Sequence, residues 1–522
     1  MQSQVDTGNP PQDNNKEDSN SKQIKVHIAI FFDGTGNSMM NVKERKAYDA
    51  QATKTKQRDD YYKSNDSHLN DLSNVAKLYT MYRAKMNKGN YNVSIYIEGI
   101  GTAPRSVAEE TYCSQYFNSK GKYDDSTIGQ AFGCGEYGVN GKIERGCQKI
   151  KNCLLDILKK ENDPNIEIEL TLDAYGFSRG AAAARSFTSR IKEAKGDTFS
   201  FGKVLKDELE TLCMSLLIPF PSSTFSTIKK YLAPIFSKEN RYQICLMNVL
   251  DEEQIKLSKD IEVSFLGLYD TVSSYGESFN DDVNELALTI DDSIVKNVYQ
   301  ICAADEYRKN FSLTLVEPFA NNVIIPGAHS DIGGGYSDNK QEKYILYKNY
   351  YSVVRVMGAM AISPALITAP LKSNIYAGNK DSDELKNGGW FSDEDIKNGF
   401  RTVSNSYSCI ALNMMRDKSG SSKFKMKDEY KVSKNKDLNS FYNQLKAKKL
   451  YAFKGNEGER EIKRIVPEVS DLEKKIRNKY LHLSSQGESL KMIALSPESL
   501  IGERRFVNAA QPGNIRKIIE NK

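Results

Sequence analysis

Gly176-Phe177-Ser178-Arg179-Gly180, followed at once by Ala181-Ala182-Ala183-Ala184-Arg185, decides how this chain is read. Just upstream, residues 166–172 alternate apolar and polar side chains as a strand does, before Asp173-Ala174-Tyr175 leads into the motif. A serine between two glycines, after a strand and before a small-residue helix, marks a strained turn that lifts a hydroxyl above a sheet. The alanines let that helix pack closely on neighbouring strands. Ser178 is therefore the candidate nucleophile, and the backbone N–H of Arg179 a candidate oxyanion donor. The competing reading is a tight turn with an inert serine.

Working outward, residues 24–32, 93–97, 261–269 and 323–325 also read as strands, rich in β-branched and aromatic side chains. Stretches with helical spacing lie between them at 69–81, 143–160, 181–195 and 294–307. Strands alternating with helices predict an α/β fold with a mostly parallel central sheet and helices on both faces. Ligands of such sheets sit beyond the carboxyl ends of the strands. Those ends here carry Gly, Asp, Ser and His.

A nucleophilic serine needs a base, and the chain has four histidines. His27 falls inside a strand and His68 in front of a helix. His329 sits in Pro326-Gly327-Ala328-His329-Ser330-Asp331-Ile332-Gly333-Gly334-Gly335-Tyr336, at a strand end, in a loop too glycine-rich to pack a core. It is the preferred base, with His482 in Tyr480-Leu481-His482-Leu483 as runner-up. Asp270 closes the strand 261–269 and lies between serine and histidine in sequence, the chain order Ser…Asp…His of α/β-hydrolases. Asp331 and Asp305 are its rivals as the acid, and a turn cap is the bland alternative for Asp270. Asp33-Gly34-Thr35-Gly36-Asn37 lacks a P-loop lysine and dinucleotide spacing, so its Gly34 backbone and Thr35 side chain are assigned to the oxyanion hole. Ordinary turn chemistry is the alternative there.

Composition narrows the classes. With 522 residues, 39% of them hydrophobic, and a mean hydropathy of −0.57, the chain affords a large core in a soluble protein. Seventy-three basic against 68 acidic residues leave a net charge of only +5, which does not suggest a nucleic-acid binder. Eight cysteines without a C-x-x-C pair, and few histidines, give no metal-ligand spacing and read as thiols of a reducing cytoplasm. No metal or cofactor is expected. Residues 1–23 read as a disordered tail and not as a signal peptide. The apolar stretch 351–371 is broken by Arg355, Gly358, Pro364 and Pro370, so no spanning helix is expected.

Phe31-Phe32-Asp33-Gly34-Thr35-Gly36-Asn37, the GFSRGAAAAR stretch at 176–185, FLGLYDTV at 265–272 and PGAHSDIGGGY at 326–336 together resemble the α/β-hydrolase family of type VI secretion lipase effectors, specifically its first family. Tyr96-Ile97-Glu98-Gly99-Ile100-Gly101-Thr102 fits the same pattern, and the resemblance covers roughly residues 24–340. It implies Ser178 as nucleophile, Asp270 as acid and His329 as base. It further implies phospholipase A-type deacylation of membrane glycerophospholipids by an antibacterial toxin. Delivery from the producer's cytoplasm on a VgrG-like secretion spike or its adaptor, action in the target periplasm, and a cognate periplasmic immunity protein follow from the same resemblance. A soluble esterase or thioesterase, or a non-catalytic spike cargo on a hydrolase scaffold, are the alternatives.

The expected organisation is a catalytic domain over 24–372, with a helical or irregular insertion at about 196–258, and a C-terminal accessory region over 373–522. The apolar run 212–220 in the insertion reads as a buried helix or as a lid. Residues 416–450 hold eleven basic against four acidic residues. Lys423, Lys425, Lys427 and Lys431 are candidate contacts to anionic lipid head groups, with Phe424, Met426, Tyr430, Phe441 and Tyr442 interleaved for insertion. A solvated charged surface is the plainer reading.

Overall fold

The computed structural model describes residues 22–103, 137–163, 165–193, 245–275, 280–281, 286–308, 310–316, 318, 321–343, 387–398, 400–456, 459–484, 516 and 518–519. Its centre is a seven-stranded sheet. The elements that frame it are β1 (Gln23–Phe32), α1 (Asn74–Met81), β2 (Lys85–Asn87), β3 (Asn90–Ile97), α2 (Val139–Glu161), β4 (Glu167–Phe177), α3 (Arg179–Ser189), β5 (Glu262–Tyr269), β6 (Val298–Ala303), β7 (Asn322–Ile325), α4 (His329–Gly333) and α5 (Ser408–Ser419). The strands lie in the order β7-β6-β5-β4-β1-β3-β2, and every pairing is parallel except that of β2 with β3.

Side chains of a strand alternate between faces, so one run of apolar residues feeds two cores. Ile24, Val26, Ile28, Ile30 and Phe32 of β1 share a cluster with Ile143, Ile150 and Leu154 of α2 and the four alanines of α3. Apolar residues of α2 at 143, 147, 150, 154 and 157 recur at helical spacing, which is why that helix presents one buried stripe. It ends at Asn162, whose backbone turns left-handed at φ 54°. Ala29 and Phe31 point the other way, into a second cluster with Val75 and Leu78 of α1 and Ile410, Leu412 and Met415 of α5.

The second cluster revises the expected organisation. Phe441, Leu445 and Ile476, far beyond residue 372, belong to the core of the sheet. Residues Phe400–Val403 also pair antiparallel with Lys340–Lys343. The C-terminal portion therefore covers one face of the central sheet, and the boundary at 372 does not mark a break in packing. A parallel sheet needs both faces covered, and α1 alone is too short to do it.

Two element expectations are corrected. The stretch 294–307, read as helix, holds the strand β6, which lies between β5 and β7. Short apolar runs do not distinguish a buried strand from a helix by period, and here Val298-Tyr299-Gln300-Ile301 fills an interior lane of the sheet. The predicted helix 69–81 is two pieces, Asp66–Leu69 and α1, because Ser73 caps the second by accepting the Ala76 N–H at 3.0 Å. The apolar runs 212–220 and 351–371 lie outside the described residues. Among the described residues no helix is long and apolar enough to cross a membrane.

Candidate active site

Phe177, the last residue of β4, pairs in register with Tyr269, the last of β5, so Ser178 and Asp270 leave adjacent strands side by side. The Ser178 N–H donates to the Tyr269 carbonyl at 3.0 Å, and the Asp270 N–H to that of Ile301 at 2.8 Å. Both residues hold positive φ, 59° at Ser178 and 46° at Asp270. Such backbone is disfavoured for non-glycine residues and persists only where the surroundings impose it. The motif glycines are required by contact. A Cβ on Gly176 would stand 2.4 Å from the Gly180 carbonyl oxygen, and one on Gly180 2.2 Å from that of Asp33. The turn thus wedges α3 against the end of β4 and against the loop that follows β1.

His329 opens α4 directly after β7. Its Nδ1 lies 2.6 Å from Asp270 Oδ2. The ring sits between Phe177, 4.6 Å away by centroid, and Phe311 at 4.9 Å edge-on. The backbone N–H of His329 donates to Glu306 Oε2 at 3.2 Å. Nε2 is buried and makes no hydrogen bond among the described residues. A carboxylate on Nδ1 fixes the tautomer with the Nε2 lone pair open, which is the form a base needs. Burial pushes the His329 imidazole below its ordinary value, against the bond and charge of Asp270. Asp270 also accepts the Ala303 N–H at 2.8 Å and two bonds from Arg516, at 2.7 and 2.9 Å. Burial would raise its carboxyl, but the charge of Arg516 and the bond from His329 outweigh it and hold the group well below the usual range.

The loop after β1 lies against this turn: a Cβ on Gly34 would be 2.4 Å from the Phe177 ring. The oxyanion assignment of Gly34 changes, because its N–H donates to Asp33 Oδ1 at 2.7 Å and is already engaged. The Thr35 hydroxyl accepts from Arg179 Nε at 2.9 Å, which leaves its own proton to donate. Asp33 is buried and takes the Tyr96 hydroxyl at 2.5 Å. Burial raises its carboxyl to about 6, against the bonds from Ser73, Tyr96 and Gly34.

The rival residues have other partners. Asp331 takes His482 Nδ1 at 2.7 Å, and His482 stacks on Tyr336 at 4.0 Å. Asp305 Oδ2 accepts the Gly327 N–H at 2.8 Å and braces the turn before His329. His27 lies 2.9 Å from Asp173, and His68 is buried against Tyr61 and Tyr62. Nothing in the sequence pointed to Arg516, which reaches Asp270 across 246 positions without a motif of its own.

The lysine-rich stretch is largely part of the fold. Phe424, Phe441 and Tyr442 are buried and so not placed to insert into a bilayer, while Met426 and Tyr430 are half-buried against the same core. For the three buried rings this corrects the expectation of interfacial insertion: the sheet face recruits them first. Lys423 is bound to buried Asp173 at 2.6 Å, Lys431 to Asp428 at 2.6 Å, and Lys427 rides over the Tyr430 ring at 5.9 Å. Lys425 is exposed. Among the described residues no group of three or more His, Cys, Asp or Glu is arranged to hold a metal.

Residues 26–354, more than half of the chain, match the family described as T6SS, Phospholipase effector Tle1-like, catalytic domain. The chain belongs to this family. Ser178, Asp270 and His329 of this Tle1-like chain all fall within the matched span, whereas His482 and Arg516 lie beyond it. A solved structure of a Tle1 effector bound to the VgrG spike from the type 6 secretion system is similar at 20% identity and a TM-score of 0.49, over 96% of this chain and 94% of that one. An uncharacterized protein from Pseudomonas aeruginosa is similar at 16% identity and a TM-score of 0.33, over 82% of this chain and 52% of that one. No curated protein matches the chain.

Proposed function

We propose that this Tle1-like chain is a serine hydrolase on an α/β-hydrolase scaffold, a phospholipase A-type enzyme that deacylates membrane glycerophospholipids. The observation that carries the reading is the 2.6 Å contact of His329 Nδ1 with Asp270, with Nε2 open, at the strand ends where Ser178 is held at positive φ. Ser178 Oγ attacks the ester carbonyl while His329 Nε2 takes its proton, and Asp270 holds the imidazole and steadies its charged form. Donors near Arg179 and Thr35 meet the oxyanion. The imidazolium then returns the proton to the leaving lysophospholipid oxygen. Water, activated by the same base, releases the fatty acid and restores Ser178.

For the biological setting we propose the following, which membership of the family supports. An antibacterial effector is carried on a VgrG-like spike or its adaptor, reaches the periplasm and membrane of a target cell, and is neutralised in sister cells by a periplasmic immunity protein. The deciding experiment is lipid analysis of phospholipid vesicles incubated with wild type and Ser178→Ala, paired with fluorophosphonate labelling. Fatty acid and lysophospholipid should accumulate with wild type only, and only wild type should take the label. Hydrolysis restricted to dispersed short-chain esters would select a soluble esterase. Absence of label and turnover would select a non-catalytic cargo.

A further inference from the structure

Asp270 is held from two sides. His329 approaches one oxygen, and the guanidinium of Arg516 approaches both, with Nη1 2.7 Å from Oδ1 and Nη2 2.9 Å from Oδ2. Arg516 is itself fixed. Its Nε donates to the Phe311 carbonyl at 2.8 Å and its Nη1 to that of Ala303 at 3.2 Å. Two residues on, Ile518–Ile519 pairs in parallel with Leu313–Thr314, and the Leu315 N–H donates to the Ile519 carbonyl at 2.9 Å. The segment is thereby anchored beside Phe311, whose ring lies edge-on to His329.

A buried arginine–carboxylate pair is a poor source of stability, since desolvation offsets most of the attraction. Its two-point geometry, however, fixes a carboxylate in position and orientation. The charges around the imidazole favour the same reading. Two acids face His329, Asp270 and Glu306, and two arginines answer them, Arg516 on Asp270 and Arg308 on Glu306 at 2.8 Å. The Cys302 thiol beside Asp270 is buried, and burial first, then the Asp270 charge, keeps it protonated. With either arginine removed, an uncompensated carboxylate would face a histidine that has to be neutral to act as a base.

We propose that Arg516 is a positioning residue of this site: its guanidinium clamps the Asp270 carboxylate at two points and offsets the negative charge that faces His329. The proposal rests on the serine-hydrolase reading for its effect on rate, but its effect on the imidazole is independent of that reading. A residue outside the matched catalytic span thus braces Asp270.

The test uses the full-length chain. With only four histidines, each imidazole can be followed by nitrogen-15 NMR and the His329 signal assigned by its loss in His329→Gln. In Arg516→Met the His329 titration should move up by about one pH unit, as an unneutralised carboxylate demands. Arg516→Lys keeps the charge and should leave the titration in place, but loses the two-point clamp. Its kcat on p-nitrophenyl butyrate should fall on the order of tenfold with KM little changed. A merely structural role would lower the melting temperature and move neither readout. A folded Arg516→Met with an unmoved His329 titration overturns the proposal. Should Arg516→Met fail to fold, Arg516→Lys decides: kcat equal to wild type overturns it, and the tenfold loss at an unmoved titration supports it. Ser178→Ala with undiminished hydrolysis would instead sink the hydrolase reading, and the imidazole titration would still decide the clamp.

Discussion

His482 binds Asp331 twice: Nδ1 meets Oδ1 at 2.7 Å, and the backbone N–H of His482 donates to Oδ2 at 3.0 Å. Asp331 of this second histidine–aspartate pair lies two residues from His329, the proposed base. Asp331 also accepts the Ala328 N–H at 2.9 Å, so the pair ties the residue before His329 to a distant part of the chain. His329→Ala should lose on the order of 10⁴-fold in kcat, as triad members do. His482→Ala should keep most of its rate and melt earlier, because a buried carboxylate loses a partner. Ester hydrolysis and thermal melts on both variants separate them; a folded but inactive His482→Ala beside an active His329→Ala would reverse the assignment.

Asp270→Asn should hold the His329 ring in the wrong tautomer and reduce kcat by roughly 10⁴-fold. Asp331→Asn should not. A loss of that size in Asp331→Asn alone, with Asp270→Asn still active, would move the acid to Asp331, and steady-state rates at saturating substrate decide.

Asp33 carries a pH signature of its own. Its carboxyl titrates near 6 when folded against an ordinary value of 3.8, chiefly through burial. Below 3.8 both folded and unfolded chains are protonated there. As pH rises through the window to about 6, the unfolded chain releases its proton first, so the folded state loses stability, by ~3 kcal/mol in all. Asp33→Asn removes that dependence. Its stability relative to wild type should rise between about pH 4 and pH 7, measured by urea unfolding; a constant difference would show that Asp33 does not titrate in this window.

Charge reversals in the lysine-rich stretch should divide by partner. Lys423→Glu sets a carboxylate against buried Asp173 and should destabilise the fold by ~3–5 kcal/mol. Reversal of exposed Lys425, Lys431, Lys434 and Lys436 should each change stability by no more than ~0.5 kcal/mol. If these four dock on anionic lipid, binding to phosphatidylglycerol vesicles should weaken by about 1 kcal/mol per lysine, while hydrolysis of a soluble ester holds. Undiminished vesicle binding would leave them a solvated surface.

The sequence by itself determined the local parts of this protein. The strand, glycine turn and alanine helix around Ser178 were legible because steric demands at Gly176 and Gly180 act over five residues. The strand-terminal positions of Asp270 and His329 were legible for the same reason, since β5 and β7 end where their apolar runs end. Tertiary structure alone decided the rest. Whether residues 298–303 extend or coil depended on an interior lane open between β5 and β7, not on their own period. The aromatic residues at 424, 441 and 442, equally suited to a membrane, were claimed by a sheet face that had to be covered. The Gly34 N–H was drawn to a buried carboxylate that only folding makes demanding. Arg516 reached Asp270 because a buried charge needs a counter-charge, and that need is created by burial itself, which no local pattern encodes.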